Sequence, residues 1–433
     1  MESALNIVQP ATPGRATEGG RLYTHYVLAI LTLVSLSNYL DRMILAVLLD
    51  PIKQELGLHD WQLGMLTGFA FAAFYASFGL PIARLADRSR RTVVLGVALG
   101  VWSIMTALCG AAQNFVQLLL ARFGVGAGEA GCVPTGHSLI ADYYPREERA
   151  PAISIFQTGG ALGSMLGIML AGMLAERIGW RMTFVALGLP GLLLMLVVFL
   201  TVREPPRGRF ETSPAPPPTK GSITVYRELL RQKTYRNLVI GFALGMFAAY
   251  GVMQWSPSFF LRSHGMTLTD VGFWYGLTSG TGGVAGVLAG GFLARPLIRR
   301  DRRWEAWFPG WSYLCATPIY VALFAVPSLD LALVLTLVGS FISALGLGPG
   351  LASLQSVTTA DRRATAVALV MFASAIFGLG GGPFLVGLLS DLTFPTFGAN
   401  SLRLALVCST LMLVWAAFHF FRAARSFRDD IVR

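Results

Sequence analysis

Twelve long apolar runs dominate the sequence and decide what the chain can fold into. They lie at 24–49, 61–83, 92–112, 114–140, 150–176, 181–202, 235–261, 268–294, 305–326, 330–359, 364–390 and 401–424. At about 1.5 Å per residue, each run is long enough to cross the ~30 Å hydrocarbon core of a bilayer as a helix. We therefore predict an all-α integral membrane protein with twelve transmembrane helices, six on each side of a central linker.

The composition excludes a soluble enzyme. Of the 433 residues, 54% are hydrophobic and 13% are charged, whereas soluble domains carry about 25% charged residues. The net charge of +11 does not predict a nucleic-acid partner, because the basic residues lie in loops between apolar runs. The cysteines lie inside apolar runs without metal-like spacing, so we predict no metal site.

The segments outside the apolar runs set the predicted domain boundaries. Residues 1–22 are polar without a signal-peptide pattern, which predicts a tail, and residues 425–433 form a second tail. Residues 203–234 form a polar, proline-rich linker, of which 224–233 has the pattern of a short surface helix. The two six-helix bundles are then 23–202 and 235–424.

The distribution of basic residues predicts the orientation. If alternate loops, both tails and the linker share one side, that side carries 27 of the 34 Lys and Arg residues and the opposite side carries five. Cytoplasmic loops are the basic ones, so we predict that both termini are cytoplasmic, at the inner membrane if the source is bacterial.

Glycine spacing indicates that the two halves are related repeats. Gly159, Gly163 and Gly167 follow the basic loop before the fifth span, and Gly378 and Gly382 follow the basic loop before the eleventh. Small residues four positions apart let two helices approach closely. Tight packing alone explains any one such stripe, but its recurrence at matching places favours an internal repeat.

Four charged residues lie deep inside predicted spans: Asp41, Arg42, Arg122 and Glu129. Intramembrane charges are costly and are therefore candidates for function. Asp41 and Arg122 fall at similar depths, so we predict that they pair, with Glu129 two turns from Arg122 on the same helix face. Arg42 points about 100° away from Asp41, toward Glu129 or a solvent path.

This group has the chemistry that proton coupling requires. Burial raises the proton affinity of a carboxylate and a nearby guanidinium lowers it, so two conformations can differ in protonation. We predict Asp41 and Glu129 as proton-coupling residues, with Arg42 and Arg122 as a charge network or a site for an anionic headgroup. A purely structural ion-pair network is the alternative.

The substrate cavity is predicted from polar or aromatic positions in otherwise apolar spans. Each position is also compatible with simple helix packing. The candidates are Asn38, Tyr250, Gln254, Trp255, Ser353 and Gln355.

Several motifs resemble those of the major facilitator superfamily. Residues 83–91 read ARLADRSRR, like its signature between spans 2 and 3, although Ala83 and Arg90 stand where that signature has glycine. Residues 122–129 (RFGVGAGE), 142–149 (DYYPREER) and 179–181 (GWR) are similar to further elements of the superfamily. Within it, residues 38–42 (NYLDR) together with 122–130 resemble the spinster lipid transporters.

The resemblance implies two pseudo-symmetric six-helix bundles around a central cavity, alternating access and an amphipathic lipid cargo. Animal spinster proteins are associated with lysophospholipids and sphingosine-1-phosphate. The resemblance also implies a cytoplasmic gate that stabilises the outward-facing state. The alternative is that these charges only set the orientation of the helices in the membrane. The gate residues would be Asp87, Arg88, Arg90, Arg91 and Arg149.

Three function classes stay open at this stage. They are a proton-coupled lipid transporter, a proton-coupled drug or metabolite exporter, and a membrane enzyme or channel. No phosphate-binding loop of the G-x4-G-K-[ST] type occurs, so we predict a proton gradient rather than ATP as the energy source and no cofactor. The expected partners are an amphipathic lipid or small molecule, protons and membrane lipids, and we expect a monomer.

Overall fold

The computed structural model describes residues 18–210, 222–359 and 362–431. Most of the predicted tail at 1–22 therefore lies outside the described residues. Six long helices form the first half: α1 Glu18–Leu56, α2 Asp60–Arg88, α3 Arg91–Cys109, α4 Phe115–Tyr143, α5 146–178 and α6 180–201.

A short helix and six long ones follow. They are α7 Ser222–Arg231, α8 Lys233–His264, α9 Leu268–Arg300, α10 Trp304–Ala325, α11 Leu329–Ser356, α12 363–397 and α13 Ser401–Asp430. The helix α7 lies within the predicted linker, where the sequence indicates a surface helix. The six long helices on each side of it match the predicted number of spans.

Nine helical stretches in the described residues are long and apolar enough to cross a membrane. Two of them each contain two helices that turn back on one another. Gly179, with φ of 76°, separates α5 from α6, and a short turn at Gly398–Asn400 separates α12 from α13. The helix α10 is not among these nine stretches of the described residues, and it contains Glu305, two prolines and three tryptophans.

Two helices extend beyond the predicted spans. The helix α1 begins at Glu18, inside the predicted tail, and α13 continues to Asp430, past the predicted end at 424. The physical reason is that a hydrophobic pattern marks only the part of a helix that lies in lipid. Polar turns at either end continue the helix into the headgroup region and carry no hydropathy signal.

The glycine stripes join equivalent helices in the two halves. A Cβ atom at Gly163 of α5 would lie 2.2 Å from the Leu36 carbonyl oxygen of α1, and one at Gly382 of α12 would lie 2.3 Å from the Phe247 oxygen of α8. The α1–α5 and α8–α12 contacts are therefore counterparts. The two halves are built alike, as their sequence repeat indicates.

The two halves meet through α2 with α12 and α5 with α9. A Cβ atom at Gly64 would lie 2.4 Å from the Pro383 oxygen, and one at Gly172 would lie 2.2 Å from the Leu268 oxygen. These contacts lie toward the end of the molecule opposite Glu18 and Asp430, which we call the far end. The end that carries Glu18 and Asp430 is the termini end.

Helices at this junction contain wider, π-helical turns. One lies in α2 at Met65–Phe69, one in α9 at Val271–Tyr275 and one in α12 at Ser374–Gly381. Such turns interrupt the regular hydrogen-bond ladder and often mark functional places. Here they lie on three of the four helices that make these close glycine contacts.

Candidate functional site

A buried ion pair joins α1 to α4 inside the first half. Arg42 Nε donates to Glu129 Oε2 at 2.6 Å, and the two side chains are 9% and 0% exposed. Breaking a pair this deeply buried is costly, because one charge is left without compensation. Arg42 Nη2 and Glu129 Oε1 have no hydrogen-bond partner among the described residues. Each side chain therefore keeps hydrogen-bonding capacity beyond the ion pair.

Aromatic rings enclose the Arg42 guanidinium. Its central carbon lies 4.9 Å from the ring centre of Tyr39, 5.0 Å from Phe71 and 4.9 Å from Tyr75. Cation–π contacts gain strength away from water. We call Arg42, Tyr39, Phe71 and Tyr75 the arginine enclosure.

The predicted ion pair between Asp41 and Arg122 is wrong. Asp41 Oδ2 accepts from Thr106 Oγ1 at 3.1 Å, and no ion pair connects Asp41 with Arg122 in the part of the chain that the structure describes. Arg122 Nε instead donates to the Leu66 carbonyl at 3.4 Å. Leu66 lies in the π-helical turn of α2, where the interrupted ladder leaves carbonyl oxygens for side chains.

All four predicted intramembrane charges are buried, and they lie in one helix cluster. Asp41, Arg122 and Glu129 are 1%, 2% and 0% exposed. Arg122 stands 5.4 Å from the ring of Phe71, which also contacts Arg42. The ring of Phe71 therefore separates the two guanidinium groups, and the carboxylates Asp41 and Glu129 have different partners.

Three predicted cavity residues keep polar atoms available. Asn38 is fully buried one turn from Asp41, and both its amide atoms lack a partner among the described residues. Gln254 is buried and its Oε1 is likewise without a described partner. Tyr250 is partly exposed.

The other three predicted cavity residues have different surroundings. Trp255 is fully buried and its Nε1 donates to the Pro383 carbonyl at 2.8 Å. Ser353 is fully buried and donates to the Gly350 carbonyl of its own helix at 2.6 Å. Gln355 is exposed near the termini end of α11. Trp255 and Ser353 therefore differ from Asn38 in that their polar atoms are already bonded within the protein, and none of the three has accessible surface in this conformation.

Arg91 is the centre of an ion cluster at the termini end. Its Nε donates to Glu204 Oε1 at 2.8 Å, its Nη1 pairs with Asp142, and its Nη2 donates to the Pro205 carbonyl at 3.0 Å. Glu204 also accepts from the backbone N–H of Thr92 at 2.9 Å. Burial alone would raise the pKa of Glu204, but these hydrogen bonds outweigh it and hold the pKa below its ordinary value.

The remaining predicted gate residues are placed differently. Asp87, Arg88 and Arg90 are exposed, and none of them forms an ion pair with a described residue. Arg149 Nε donates to the Tyr144 carbonyl at 3.1 Å, while its Nη2 is buried without a described partner. The carboxylates bound by Arg91 come from its own half and from the linker, not from the second half.

The start of the linker is fastened to the first half. Arg207 Nη2 donates to the carbonyl oxygens of Ala86 and Ser89, at 2.7 and 2.6 Å. The Gly208 N–H donates to Asp142 Oδ1 at 3.0 Å. We call residues 203–208 the strap. The sequence predicts a linker over the whole of 203–234 and does not indicate the role of Glu204, because a single glutamate before two prolines carries no signal of its partner.

A second ion cluster, which the sequence analysis misses, joins the two halves at the far end. Arg262 of α8 donates from Nε to Asp50 Oδ1 at 2.6 Å and from Nη1 to Asp60 Oδ2 at 2.7 Å. Lys53 Nζ lies 2.6 Å from Asp60 Oδ1, and Asp391 of α12 accepts from the Trp61 N–H at 2.7 Å. We call Asp50, Lys53, Asp60, Arg262 and Asp391 the far-end cluster.

The far-end cluster identifies the conformation. It borders a cavity of about 590 Å³ lined by both halves. Every hydrogen bond between the halves within residues 18–210, 222–359 and 362–431 lies at this end. Among the described residues, the two bundles are thus joined by hydrogen bonds at the far end and by none at the termini end.

These features define a membrane transporter with two related bundles. A family model described as "Major Facilitator Superfamily" matches residues 31–383, and the chain belongs to that superfamily. This confirms the predicted superfamily and fold class, and it sets aside the alternatives of a membrane enzyme or a channel.

Two curated relatives resemble nearly the whole chain. An MFS-type efflux pump of Mycolicibacterium smegmatis is 36% identical over 406 residues, which cover 93% of each chain. The human Protein spinster homolog 1 is 29% identical over 90% of this chain and 76% of its own. The resemblance to spinster proteins that the motifs indicate is therefore confirmed.

Two solved structures are similar in fold. A bacterial homolog of the human lysosomal transporter Spinster, in an inward-facing and unoccupied conformation, superposes with a TM-score of 0.86 at 32% identity, covering 95% of this chain and 99% of its own. The inward-facing and occupied form gives a TM-score of 0.84 at the same identity and coverage.

Proposed function

We propose that this protein is a proton-coupled secondary transporter that moves an amphipathic lipid across the membrane by alternating access. The cargo class is a lysophospholipid or a molecule like sphingosine-1-phosphate. The observation that carries this proposal is the arginine enclosure: a buried guanidinium that is paired with a carboxylate and contacts three aromatic rings of the first half.

Glu129 links proton binding to cargo binding in this mechanism. In the described conformation the Glu129 carboxylate accepts a hydrogen bond from Arg42 Nε. Arg42 Nη2 has no partner among the described residues. If Glu129 takes up a proton, Arg42 loses its counter-charge and its planar donors become available to an anionic headgroup. Headgroup and deprotonated Glu129 then compete for one guanidinium, which couples the two ligands.

Asp41 provides a second place for a proton. One of its oxygens accepts from Thr106 and the other has no partner among the described residues. An unpaired buried carboxylate is costly, and protonation removes that cost. In our proposal, Arg122 is the charge that tunes the proton affinity of this carboxylate, and Asn38 is the polar group that contacts the cargo.

The aromatic rings fit the apolar part of an amphipathic molecule. Tyr39, Tyr75 and Tyr250 are partly exposed, so their faces and hydroxyl groups remain available beside the charge. A wide, half-charged and half-aromatic site would also accept a hydrophobic drug. The similarity to an efflux pump of M. smegmatis supports drug export as the second candidate.

We infer that the termini end faces the cytoplasm, at the inner membrane of a bacterium. The excess of basic residues on that side supports this orientation. With the halves locked at the far end, the described conformation is then inward-facing. The similarity to two inward-facing structures supports the same inference. We expect the transporting unit to be a monomer.

Flux into proteoliposomes tests the proposal. Labelled lysophospholipid and sphingosine-1-phosphate would be offered with and without a pH gradient, alongside a panel of drugs. We expect saturable lipid flux that follows the gradient and is lost in Glu129→Gln. Glu305→Gln is the matched control, because Glu305 is also buried but lies outside the site.

The outcomes separate the candidates. Saturable lipid flux that does not change with the pH gradient would support the lipid as cargo and refute proton coupling. Flux of drugs but of no lipid, from folded protein, would replace the lipid proposal with the exporter. Equal loss in Glu129→Gln and Glu305→Gln would show that removal of any buried glutamate impairs the protein.

A further inference from the structure

A basic groove lies at the termini end between α2 and α3. It has a volume of about 260 Å³ and is lined by Arg88, Ser89, Arg90, Glu204, Pro205 and Arg207. Three of these six residues are arginines, and Glu204 is the one carboxylate in the lining. The strap therefore forms one wall of the groove, and the junction of two membrane helices forms the other.

The single carboxylate does not neutralise the groove. Glu204 accepts hydrogen bonds from Arg91 and from the N–H and hydroxyl groups of Thr92. The guanidinium of Arg207 is fixed by two backbone carbonyls, which carry no net charge. Arg88 and Arg90 form no ion pair with a described residue, and Asp87 is exposed beside the groove without lining it. Arg91 is shared between Glu204 and Asp142, so one carboxylate charge remains nearby, but the three lining arginines still leave the groove with a net positive charge.

The surface next to the groove is apolar and faces outward. Val93, one turn into α3 from Arg90, is 40% exposed, and Val97 is 52% exposed. The exposed stripe continues along α3 through Val101 and Ile104. On the α2 side, Leu85 is 55% exposed. A ligand in the groove would therefore meet hydrocarbon-facing side chains directly beside it.

We propose that this groove binds the headgroup of an anionic phospholipid, with its acyl chains along the exposed stripe of α3. Arginine matches phosphate through its planar, multidentate donors. Basic pockets at helix ends on the cytoplasmic side are suited to anionic headgroups. The adjoining apolar stripe favours a membrane lipid over a free phosphate ion. The site is separate from the arginine enclosure and does not depend on the proposed cargo.

Lipid binding to the full-length protein tests this proposal. Native mass spectrometry in detergent would be used to titrate phosphatidylglycerol and phosphatidylcholine, each with and without excess inorganic phosphate. We expect phosphatidylglycerol to bind at least about tenfold more tightly than phosphatidylcholine. We also expect inorganic phosphate at the same concentration to leave it bound.

The variants assign that binding to the groove. Arg88→Gln with Arg90→Gln should weaken phosphatidylglycerol binding by about thirtyfold, or about fivefold for each arginine. Arg88→Lys with Arg90→Lys keeps the charge and should lose less than about fivefold. The matched control is Arg299→Gln with Arg300→Gln, at the equivalent end of α9, where both side chains are also exposed.

Three results would overturn the proposal. The first is unchanged phosphatidylglycerol binding in the glutamine double variant. The second is an equal loss in the control pair, which would indicate non-specific attraction to a basic surface. The third is displacement of the lipid by inorganic phosphate, which would make the groove a site for a free anion. Size-exclusion profiles of all variants would verify folding.

Discussion

Arg42 makes two kinds of contact that lysine cannot reproduce together. Its planar group stacks among three aromatic rings, while its Nε donates to Glu129. Lysine keeps the charge but loses the plane and the directed donor. We predict that Arg42→Lys lowers cargo affinity about tenfold, consistent with the loss of ~1–2 kcal/mol of cation–π contact. Initial rates against cargo concentration would measure this as a raised KM.

A control distinguishes a local effect from a general loss of stability. Arg149→Lys changes a partly buried arginine at the termini end, outside the arginine enclosure, and should leave KM unchanged. If Arg42→Lys has the same KM as the original protein, Arg42 does not contact cargo. The guanidinium would then serve only to hold α1 against α4.

The buried charges were predictable as residues but only partly as pairs: Arg42 reaches Glu129, one of its two expected directions, whereas Asp41 and Arg122 form no ion pair among the described residues. A charge inside an apolar run is visible in any sequence, and all four such residues are buried in the structure. Pairing depends also on the rotation of each helix about its axis, which is set by packing. Arg122 turns toward the Leu66 carbonyl, a partner that belongs to the backbone of another helix and has no mark in the sequence.

At the scale of helices, glycine controls how closely α1 and α5 pack. A Cβ atom at Gly163 would lie 2.2 Å from a carbonyl oxygen, whereas one at Gly291 of α9 would meet nothing within 4 Å. We predict that Gly163→Ala destabilises the protein by ~1–3 kcal/mol through overpacking. Thermal unfolding in detergent would measure it. Gly291→Ala is the matched control and should unfold within a few degrees of the original protein.

If Gly163→Ala were as stable as Gly291→Ala, the α1–α5 contact would have to be looser than described. The sequence predicts this contact, because glycine spacing is directly visible and its physical meaning is general. The same sequence does not predict the strap. The strap's hydrogen bonds join backbone groups and single side chains to partners 60 or more residues away, and no local pattern encodes them.

The ion cluster around Arg91 should make strap stability depend on pH. The folded pKa of Glu204 is lowered, so its contribution is present above the unfolded value, about 4.3, and is lost as pH falls through the folded pKa. We predict that Glu204→Gln destabilises the protein by about 2 kcal/mol near pH 7, the scale of hydrogen bonds to a charged group. The difference between variant and original should shrink below about pH 4.

Paired unfolding curves at both pH values would measure this difference. Comparing the two proteins at each pH removes the effects of other groups that titrate in acid. Asp301 is one such group, since its hydrogen bond with Arg303 holds its pKa at about 2. A Glu204→Gln penalty that is equal at pH 7 and at pH 3.5 would show that the charge of Glu204 does not stabilise the strap.

At the scale of the whole molecule, the far-end cluster is what holds the two bundles together in this conformation. The sequence could not predict it, because Asp50, Asp60, Arg262 and Asp391 lie on four different helices. The one available signal was Arg262, which is among the few basic residues on the less basic side. Arg262 departs from the pattern in which basic residues lie on the other side of the membrane. In the structure it forms ion pairs across the interface between the halves.

Removing Arg262 should shift the molecule toward a state that is open at the far end. Arg262→Met leaves Asp50 and Asp60 with fewer counter-charges, so closing this end becomes less favourable by several kcal/mol at most. A loss of ~2 kcal/mol would change the ratio of closed to open forms about thirtyfold. Spin labels at Gln54 and Phe397, which are exposed on opposite halves at this end, should report a longer and broader distance distribution.

Arg403→Met provides the matched control for this shift. Arg403 is also at the far end, but its Nε donates to Ser263 within the same half, so its loss should leave the distance distribution unchanged. Arg262 contacts both carboxylates of the first half and is therefore expected to act on the equilibrium between conformations rather than on the fold of either bundle. Identical distributions for the original protein and Arg262→Met would mean that the α2–α12 and α5–α9 contacts alone keep this end closed.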